Sequence, residues 1–326
     1  MEASVVTVSV NDGKYTGRGE GVPIARYNQT IDSVLEQIHS IASVADLNRD
    51  RLANLLPAGA ARNALDCALW DLEAKRSGKR VWELANLPVV TRSRPSVDDA
   101  DASHRETATD EMDDEDQVAT AFTISLDTPA RMGEAAATVV DLPVLKLKLC
   151  GDDQDVLRVK AVRAATPNSR LIVDANESWS PRHYQNTAPL LKQLGVELIE
   201  QPFPADADDV LETLDHPIAV CADESCHTPN DLPRLENRYD AINIKLDKTG
   251  GLTEARKLYQ CARESDFKIL IGCMVCTSLS IAPARLLASN AEWVDLDGPL
   301  LLTRDRQHGL RYRNGRIGMP ARQFWG

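Results

Sequence analysis

Residues 196–202 read Val-Glu-Leu-Ile-Glu-Gln-Pro, an apolar run that ends in a carboxylate, and this stretch decides the fold. Seven further runs share its β-like character and lie at 119–126, 144–149, 170–176, 218–224, 241–247, 268–274 and 293–297. The starts of the eight runs are 22–27 residues apart, and most of the gaps hold a helical pattern. Strands that alternate with helices predict parallel βαβ units. Eight strands that are apolar on both faces favour a closed (β/α)8-type barrel over the alternative, a doubly wound open sheet.

The segment before the barrel predicts a second, smaller unit. Two β-rich stretches, 4–10 and 14–21, flank Asn11-Asp12-Gly13 and predict a hairpin. Apolar residues at helical spacing predict amphipathic helices over 31–45 and 60–75. The first ninety residues are therefore expected to form a small α+β unit.

An acidic segment separates this unit from the barrel. The net charge of the chain is -12, and residues 98–116 account for -9 of it, with ten acidic residues and one Arg. Because residues 91–117 are polar and poor in apolar side chains, they predict an exposed, disordered insertion, with an interaction tail as the alternative. The expected domains are thus an α+β domain over 1–90, completed by about 300–326, and a barrel domain over 118–299.

Composition excludes several classes of protein. The 326 residues are 43% hydrophobic and 26% charged, which is ordinary for a globular protein. No apolar run approaches 18 residues, and no basic face is present, so neither a membrane nor a nucleic acid is expected as a partner. The seven cysteines are odd in number and lie mostly inside apolar runs, which predicts reduced thiols and a cytoplasmic location.

Three consecutive barrel strands are predicted to end in carboxylates: Asp174, Glu200 and Asp223. A single such residue is most often a helix cap or a solvated loop residue. Because neighbouring strands lie about 4.8 Å apart, the three side chains can converge on one point, where they would repel one another without a cation. Oxygen ligands favour a hard cation, so the pattern predicts Mg2+ before Mn2+ or Ca2+.

Lysines lie on the same predicted strand ends. Lys146 and Lys148 are two residues apart, so they point to the same face of their strand, and Lys245 lies four strands further round the barrel. Two inward lysines near Mg2+ and each other are expected to have lowered pKa values and to act as acid and base. A substrate between Lys148 and Lys245 would meet a proton donor on one face and an acceptor on the other.

The last predicted strand carries Asp295 and Asp297, again two residues apart and facing inward. No Lys or His lies nearby in the sequence to neutralise them, so we expect the ammonium group of a substrate to do so. The alternative is that they cap the return of the chain to the first domain.

Taken in order, Lys-x-Lys, Asp-Ala-Asn, Glu-Gln-Pro, Ala-Asp-Glu-Ser and Asn-Ile-Lys resemble the motifs of the enolase superfamily, muconate-lactonizing subgroup. The Asp295-Leu-Asp297-Gly-Pro motif resembles the dipeptide epimerases, above all the L-Ala-D/L-Glu epimerases. The segments 60–71, 245–251 and 272–278 agree with that family, and the resemblance extends from about residue 4 to about residue 320, except for 91–117.

The resemblance implies a modified (β/α)7β TIM-type barrel with an α+β capping domain. It implies one Mg2+ per subunit on Asp174, Glu200 and Asp223, with Mn2+ as a substitute, and Lys148 and Lys245 as the acid/base pair. Lys146 would be an auxiliary lysine, Thr123 a substrate contact, and Asp295 with Asp297 the site of the dipeptide α-ammonium. The implied reaction inverts the α-carbon of the C-terminal residue of a dipeptide through an enediolate, with L-Ala-D-Glu of murein peptide metabolism as the expected substrate.

Two rival functions stay open. One is a cycloisomerase or dehydratase that uses the same metal and lysines. The other is an inactive metal-binding relative, because the family's first strand and its mobile loop precede the segment that opens this sequence. That loop supplies an Arg for the distal carboxylate of the substrate, and no residue here is assigned to it. A homo-oligomer also stays open.

Overall fold

The computed structural model describes residues 4–44, 46–87 and 117–326, so the predicted acidic insertion lies outside the described residues except for Gln117. Among its described residues, the first unit contains a hairpin, a 3-10 helix at Ala25–Tyr27 and four α-helices. Their bounds are β1 Val6–Asn11, β2 Thr16–Gly21, α1 Ile31–Ser40, α2 Arg49–Leu55, α3 Ala60–Ser77 and α4 Val81–Leu84. Strands β1 and β2 are antiparallel, as predicted for the turn at Asn11-Asp12-Gly13. Helix α1 is shorter than predicted, and α2 was not predicted.

Helix α3 packs directly on strand β2 because both elements have small side chains at the contact. A Cβ atom on Gly17 would lie 2.0 Å from the carbonyl oxygen of Ala68, and one on Gly19 would lie 2.1 Å from that of Ala64. Glycine at these positions is therefore required by close approach of the two backbones. The pair forms the centre of the first unit and places the loop after β2 against the barrel.

The barrel sheet contains eight parallel strands whose spatial order follows the sequence. After the short β3, Val118–Ala119, the strands are β4 Ala121–Ile124, β5 Val144–Lys148, β6 Arg170–Asp174, β7 Val196–Glu200, β8 Ala219–Ala222, β9 Ala241–Ile244, β10 Lys268–Gly272 and β11 Trp293–Asp295. Side-chain hydrogen bonds join the first and last strands: the Thr123 amide donates to Asp297 Oδ2 at 2.7 Å, and the Leu296 amide donates to Thr120 Oγ1 at 2.9 Å. The predicted closed barrel is confirmed, and the open sheet is excluded.

Helical segments follow the first seven barrel strands. The α-helices are α5 Pro129–Ala137, α6 Asp155–Ala165, α7 Pro181–Gln193, α8 Leu232–Leu235, α9 Leu246–Thr249, α10 Leu252–Glu264 and α11 Ser278–Arg285. Strand β7 is followed by a 3-10 helix, Asp209–Thr213, and β11 only by a 3-10 turn, Gly298–Leu301. The eighth helix of the ideal barrel is thus missing, as the (β/α)7β form requires.

The C-terminal segment contacts both units. Strands β12 Tyr312–Arg313 and β13 Arg316–Ile317 form a hairpin that pairs with β3. The final residues reach the first unit, where the Gly326 amide donates to Asp71 Oδ1 at 2.9 Å. All seven cysteines are free thiols, and among the described residues no helix is both long and apolar enough to cross a membrane.

Candidate active site

The period of two along each strand separates an apolar floor from a charged layer inside the barrel. Each of the eight strands contributes one residue to a buried apolar cluster: Ala121, Val144, Ile172, Leu198, Cys221, Ala241, Leu270 and Trp293. Two residues further along the same faces lie Lys146, Asp174, Glu200, Asp223, Asn243 and Asp295, all buried. The charged groups therefore meet at the C-terminal ends of the strands, where barrel enzymes have their active sites.

Lys146 lies at the centre of this layer. Its Nζ atom is 3.1 Å from Asp174 Oδ2, 2.7 Å from Glu200 Oε2 and 2.7 Å from Asp295 Oδ2. The side chain is 2% exposed, so three carboxylates surround one ammonium group away from solvent. A buried charge of this kind is tolerated only when it is fully paired.

Lys148 lies one layer higher on the same strand and is a third exposed. Its Nζ atom is 2.7 Å from Asp174 Oδ2 and 3.0 Å from Asn176 Oδ1. Asn176 and the following residue, Glu177, both have positive φ, at 43° and 66°, which is costly for residues with a Cβ atom. This strained turn aims the Asn176 side chain at Lys148.

On the opposite side of the barrel two lysines share Asp223. Lys245 Nζ lies 2.6 Å from Asp223 Oδ2, and Lys248 Nζ lies 2.7 Å from Asp223 Oδ1. Lys248 also donates to the carbonyl oxygens of Asp223 and Asn243. Lys248 is not among the predicted site residues. It caps carbonyl groups and is buried, because α9 begins directly after the strand.

The three predicted metal carboxylates come to the same layer from consecutive strands. One oxygen atom of Glu200 lacks a hydrogen bond within the protein. Glu200 Oε1 accepts from Asn243 Nδ2 at 2.7 Å. Glu200 Oε2 is buried and forms an ion pair with Lys146, but it accepts no hydrogen bond. Burial and Asp174 raise the pKa of Glu200, so a further positive charge is favourable here. This donor set of buried carboxylate oxygens fits a hard divalent cation.

A different group brings its ligand atoms closer together. Within the described ranges, Cys150, Asp152 and Asp155 are the residues whose metal-binding atoms all lie within 4.8 Å of one another. However, Arg158 Nη1 lies 2.8 Å from Asp155 Oδ1 and also contacts Asp152. This guanidinium already binds both carboxylates of the cluster, so we interpret the cluster as a structural ion-pair network at the start of α6.

Asp295 and Asp297 face different partners. Asp295 is bound by Lys146, which lies 149 residues away in the sequence, so a residue of the protein contacts the carboxylate that was expected to meet a substrate ammonium group. Asp297 accepts a 2.7 Å hydrogen bond from the Thr123 amide, and its side chain does not cap the 3-10 turn that follows it. Burial and the neighbouring Asp295 raise the pKa of Asp297 to about 6.

The lysine pKa values differ from the sequence-based expectation. Burial lowers the pKa of Lys245, but Asp223 and Glu200 raise it by more, so that the net pKa lies above its ordinary value. The pKa of Lys146 is likewise well above its ordinary value: burial lowers it, and Asp174 leads the carboxylates that raise it. In the protein alone, the nearby carboxylates therefore affect the pKa values of Lys146 and Lys245 more than repulsion between the lysines does.

A cavity of about 240 Å³ opens above this layer. Seven of the nine predicted site residues line it; Asp174 and Glu200 lie in the layer beneath. The first unit contributes Arg26 and Tyr27, which sequence reasoning did not assign to the site. Arg26 binds Glu177 through two hydrogen bonds of 2.9 and 3.0 Å and so joins the first unit to the barrel mouth.

Glu224 is a further group that sequence reasoning did not assign. It lines the same cavity, and its Oε2 atom is buried without a hydrogen bond. Burial and Asp223 raise its pKa to about 8. A larger cavity of about 700 Å³ lies in the first unit between β1 and helices α1–α3 and contains none of the predicted site residues.

Known proteins share this arrangement of units. Residues 131–323 match the family described as enolase C-terminal domain-like, and residues 1–85 match the mandelate racemase / muconate lactonizing enzyme N-terminal domain. The chain is 43% identical to an N-acetyl-D-glutamate racemase from Pseudoalteromonas, over 99% of this chain and 95% of that protein. It is 40% identical to the L-Ala-D/L-Glu epimerase of Escherichia coli K12, over 97% and 92%.

Solved structures agree. An enolase family member from Agrobacterium tumefaciens with homology to dipeptide epimerases, solved with sodium and L-Ala-L-Glu, has a TM-score of 0.88 at 43% identity, with coverage of 99% of this chain and 92% of that one. A dipeptide epimerase from Methylococcus capsulatus, solved with Mg and L-Arg-D-Lys, has a TM-score of 0.80 at 28% identity, with coverage of 97% and 89%. With both of its units matched, the chain belongs to the enolase superfamily, in the mandelate racemase / muconate lactonizing enzyme family.

Proposed function

We propose that the protein is a divalent-cation-dependent dipeptide epimerase that inverts the α-carbon of the C-terminal residue. The observation that carries this proposal is the placement of Lys148 at the end of β5 and of Lys245 directly after β9, four strands apart in an eight-stranded barrel, with both side chains lining one cavity. A substrate α-carbon between them would have one ammonium or amine group on each face. Two-base proton transfer requires that geometry.

Asp174, Glu200 and Asp223 would hold the cation, with Mg2+ as the first candidate. When bound, it would polarise the substrate carboxylate and favour the enediolate charge. Lys146, buried among Asp174, Glu200 and Asp295, would keep these side chains in position and add a positive charge beneath the developing anion. Lys148 or Lys245 would remove the α-proton, and the other would return a proton to the opposite face.

The dipeptide ammonium would bind at the β11 end of the cavity. Asp297 lines the cavity and is buried, with a backbone amide as its neutral donor and no ion-pair partner among the described residues. A substrate ammonium would supply the missing charge. The names of the similar proteins support L-Ala-D-Glu and L-Ala-L-Glu as substrates.

A second candidate is a racemase of N-acylated amino acids. The similarity to the N-acetyl-D-glutamate racemase favours it, and so does the Lys146–Asp295 pair, which leaves only one of the two aspartates for an ammonium group. Both candidates share the lysines and the carboxylate triad. They differ in the group that meets Asp297.

Deuterium exchange at the α-carbon, followed in D2O over a panel of substrates, tests the proposal. The panel contains L-Ala-D-Glu, L-Ala-L-Glu, and N-acetyl-D- and N-acetyl-L-glutamate, each assayed with Mg2+ and after chelation. Exchange into the dipeptides that requires Mg2+ is the expected result. Exchange only into the N-acetyl compounds would favour the second candidate, and exchange into none of them would contradict both.

A further inference from the structure

Gln201 lies between the three strands that carry the predicted metal carboxylates. It follows Glu200 at the end of β7, is completely buried and has a φ of 35°. A positive φ is uncommon for a residue with a Cβ atom and persists only where the surroundings hold it. The residues that hold Gln201 in place lie at the ends of β6, β7 and β8.

The backbone of Gln201 joins the ends of β6 and β8. Its amide donates to the carbonyl oxygen of Cys221 at 2.8 Å, and its carbonyl oxygen accepts from the amide of Glu177 at 2.9 Å. Cys221 lies two residues before Asp223, and Glu177 lies three residues after Asp174. One residue thus connects the segments that carry Asp174, Glu200 and Asp223.

The side chain of Gln201 adds a second link to the Asp223 segment. Its Oε1 atom accepts from the amide of Asp223 at 2.8 Å and from the amide of Ser225 at 3.1 Å. The two bonds enclose Glu224, so this turn is attached to Gln201 on both sides. The Asp223 carboxylate projects from that turn towards Lys245.

Backbone groups determine which end of the Gln201 side-chain amide is the oxygen and which is the nitrogen. The Asp223 and Ser225 amides can only donate, so they require Oε1, and Nε2 donates to the carbonyl oxygen of Phe203 at 2.9 Å, which can only accept. Nε2 also lies 2.8 Å from Ser225 Oγ and 2.9 Å from Tyr239 Oη.

A buried carboxylate, Asp208, orients both of these hydroxyl groups. Its Oδ2 atom accepts from Ser225 Oγ at 2.6 Å and from Tyr239 Oη at 2.9 Å, so their lone pairs are free to face Gln201. Arg238 Nη1 lies 2.9 Å from Asp208 Oδ1 and balances its charge. Every polar atom of the Gln201 side chain therefore has a defined partner.

We propose that Gln201 is a positioning residue for the cation site, which holds the Asp223 turn at a fixed distance from Asp174 and Glu200. The proposal rests on the proposed function in one respect, that these three carboxylates bind a divalent cation. If the side-chain amide of Gln201 were removed, the backbone N–H groups of Asp223 and Ser225 would be buried without an acceptor. The turn would then move until these groups found other partners. The Asp223 carboxylate would then leave the position from which it can bind the same cation as Asp174 and Glu200.

Titration with Mn2+, with free ion followed by its EPR signal, tests this without an activity assay. Gln201→Leu removes both the acceptor oxygen Oε1 and the donor nitrogen Nε2 of the side chain. Gln201→Asn keeps the amide but is one methylene shorter, so it cannot reach the same partners, and it decides the question if the Leu variant does not fold. The control is Tyr239→Phe, which removes a hydroxyl partner of the amide but leaves the bonds to Asp223 and Ser225 in place. Thermal unfolding reports the stability of each variant.

The expected result is that the Gln201 variants bind Mn2+ at least tenfold more weakly than the parent protein, whereas Tyr239→Phe stays within about twofold even if its Tm falls. Mn2+ affinity within twofold of the parent in a folded Gln201 variant would overturn the positioning role. An equal loss of affinity in Tyr239→Phe would also overturn it, because the network would then act only through stability. If the parent protein binds no Mn2+, the proposed function itself fails, together with this inference.

Discussion

Lys146 Nζ lies 2.7 Å from Asp295 Oδ2, and this ion pair connects the second barrel strand, β5, to the eighth, β11, across the inside of the barrel. The two residues are 149 positions apart, so no local sequence pattern reveals the pair. The ammonium that neutralises Asp295 is therefore part of the protein. Asp297, which has no ion-pair partner among the described residues, is the aspartate of the pair whose full charge is left for a group of the substrate.

The carboxylate triad yields the first prediction. Asn at position 174, 200 or 223 keeps the approximate shape of the site but removes one negative charge, so we expect the loss of detectable turnover and at least tenfold weaker Mn2+ binding. Glu200→Gln is the closest isostere for Glu200 and should behave in the same way. Full turnover after exhaustive chelation of the parent protein would contradict the metal requirement.

The two lysines that we propose as acid and base yield the second prediction. Because Lys148 and Lys245 lie on opposite sides of the cavity, each should serve one epimer of the substrate. Replacement of either by Ala should abolish α-deuterium exchange from one epimer while some exchange from the other remains, and the two variants should differ in which epimer they spare. Equal loss of both exchanges in both variants, with Mn2+ binding intact, would indicate a merely structural role.

The barrel and its inner face were predictable because period-two patterning acts within each strand. Once Lys146 and Lys148 are placed on one strand, their spacing alone turns both inward. The rule does not reach Asp297, which lies beyond the end of β11. The apolar run around each charge also predicts burial. These inferences need no knowledge of which residues lie opposite.

What the sequence left open depends on long-range contacts. Lys248 is not among the predicted site residues, because it is the short helix α9 that turns its side chain back onto Asp223. Arg26 joins the cavity from the first unit, and its partner Glu177 is 151 residues away. The raised pKa of Lys146 was also not predicted, because it depends on how many carboxylates finally surround its ammonium group.

The interface between the two units yields the third prediction. Asp247 is buried there and accepts from the Val22 amide at 2.9 Å and from Asn63 Nδ2 at 2.7 Å. Burial outweighs these bonds and raises the pKa of Asp247 to about 7, from an ordinary value of 3.8. Because the folded protein then holds a proton that the unfolded chain has lost, this group costs stability progressively as the pH rises from about 4 to about 7.

Asp247→Asn cannot ionise and keeps an oxygen that can accept from Val22 and Asn63. We therefore expect the free energy of unfolding of the variant, relative to the parent, to increase between pH 5 and pH 8. A shift of about three pKa units sets an upper limit of about 4 kcal/mol on the gain. Denaturant unfolding at several pH values measures the difference, and a gain that shrinks as the pH rises would contradict the assigned protonation.

Asp297 yields the last prediction. Its carboxylate lines the cavity, is nearly completely buried, accepts a hydrogen bond from the Thr123 amide and has no ion-pair partner among the described residues. Binding of an ammonium group would therefore be a charge-assisted hydrogen bond of about 1.5–3 kcal/mol. Because the pKa of Asp297 is raised to about 6, the carboxylate gains its full charge only above that pH.

Asp297→Asn should therefore lower kcat/KM for L-Ala-D-Glu by about tenfold or more at pH 8, and by less at pH 5, where the parent side chain is itself largely protonated. The N-acetylated dipeptide lacks the ammonium charge, so its kcat/KM should change much less on the same substitution. Initial rates for both substrates with the parent and the variant, each at both pH values, measure the effect. If the parent converts the free and acetylated dipeptides equally well, Asp297 does not bind an ammonium group, and the racemase of N-acylated amino acids becomes the better assignment.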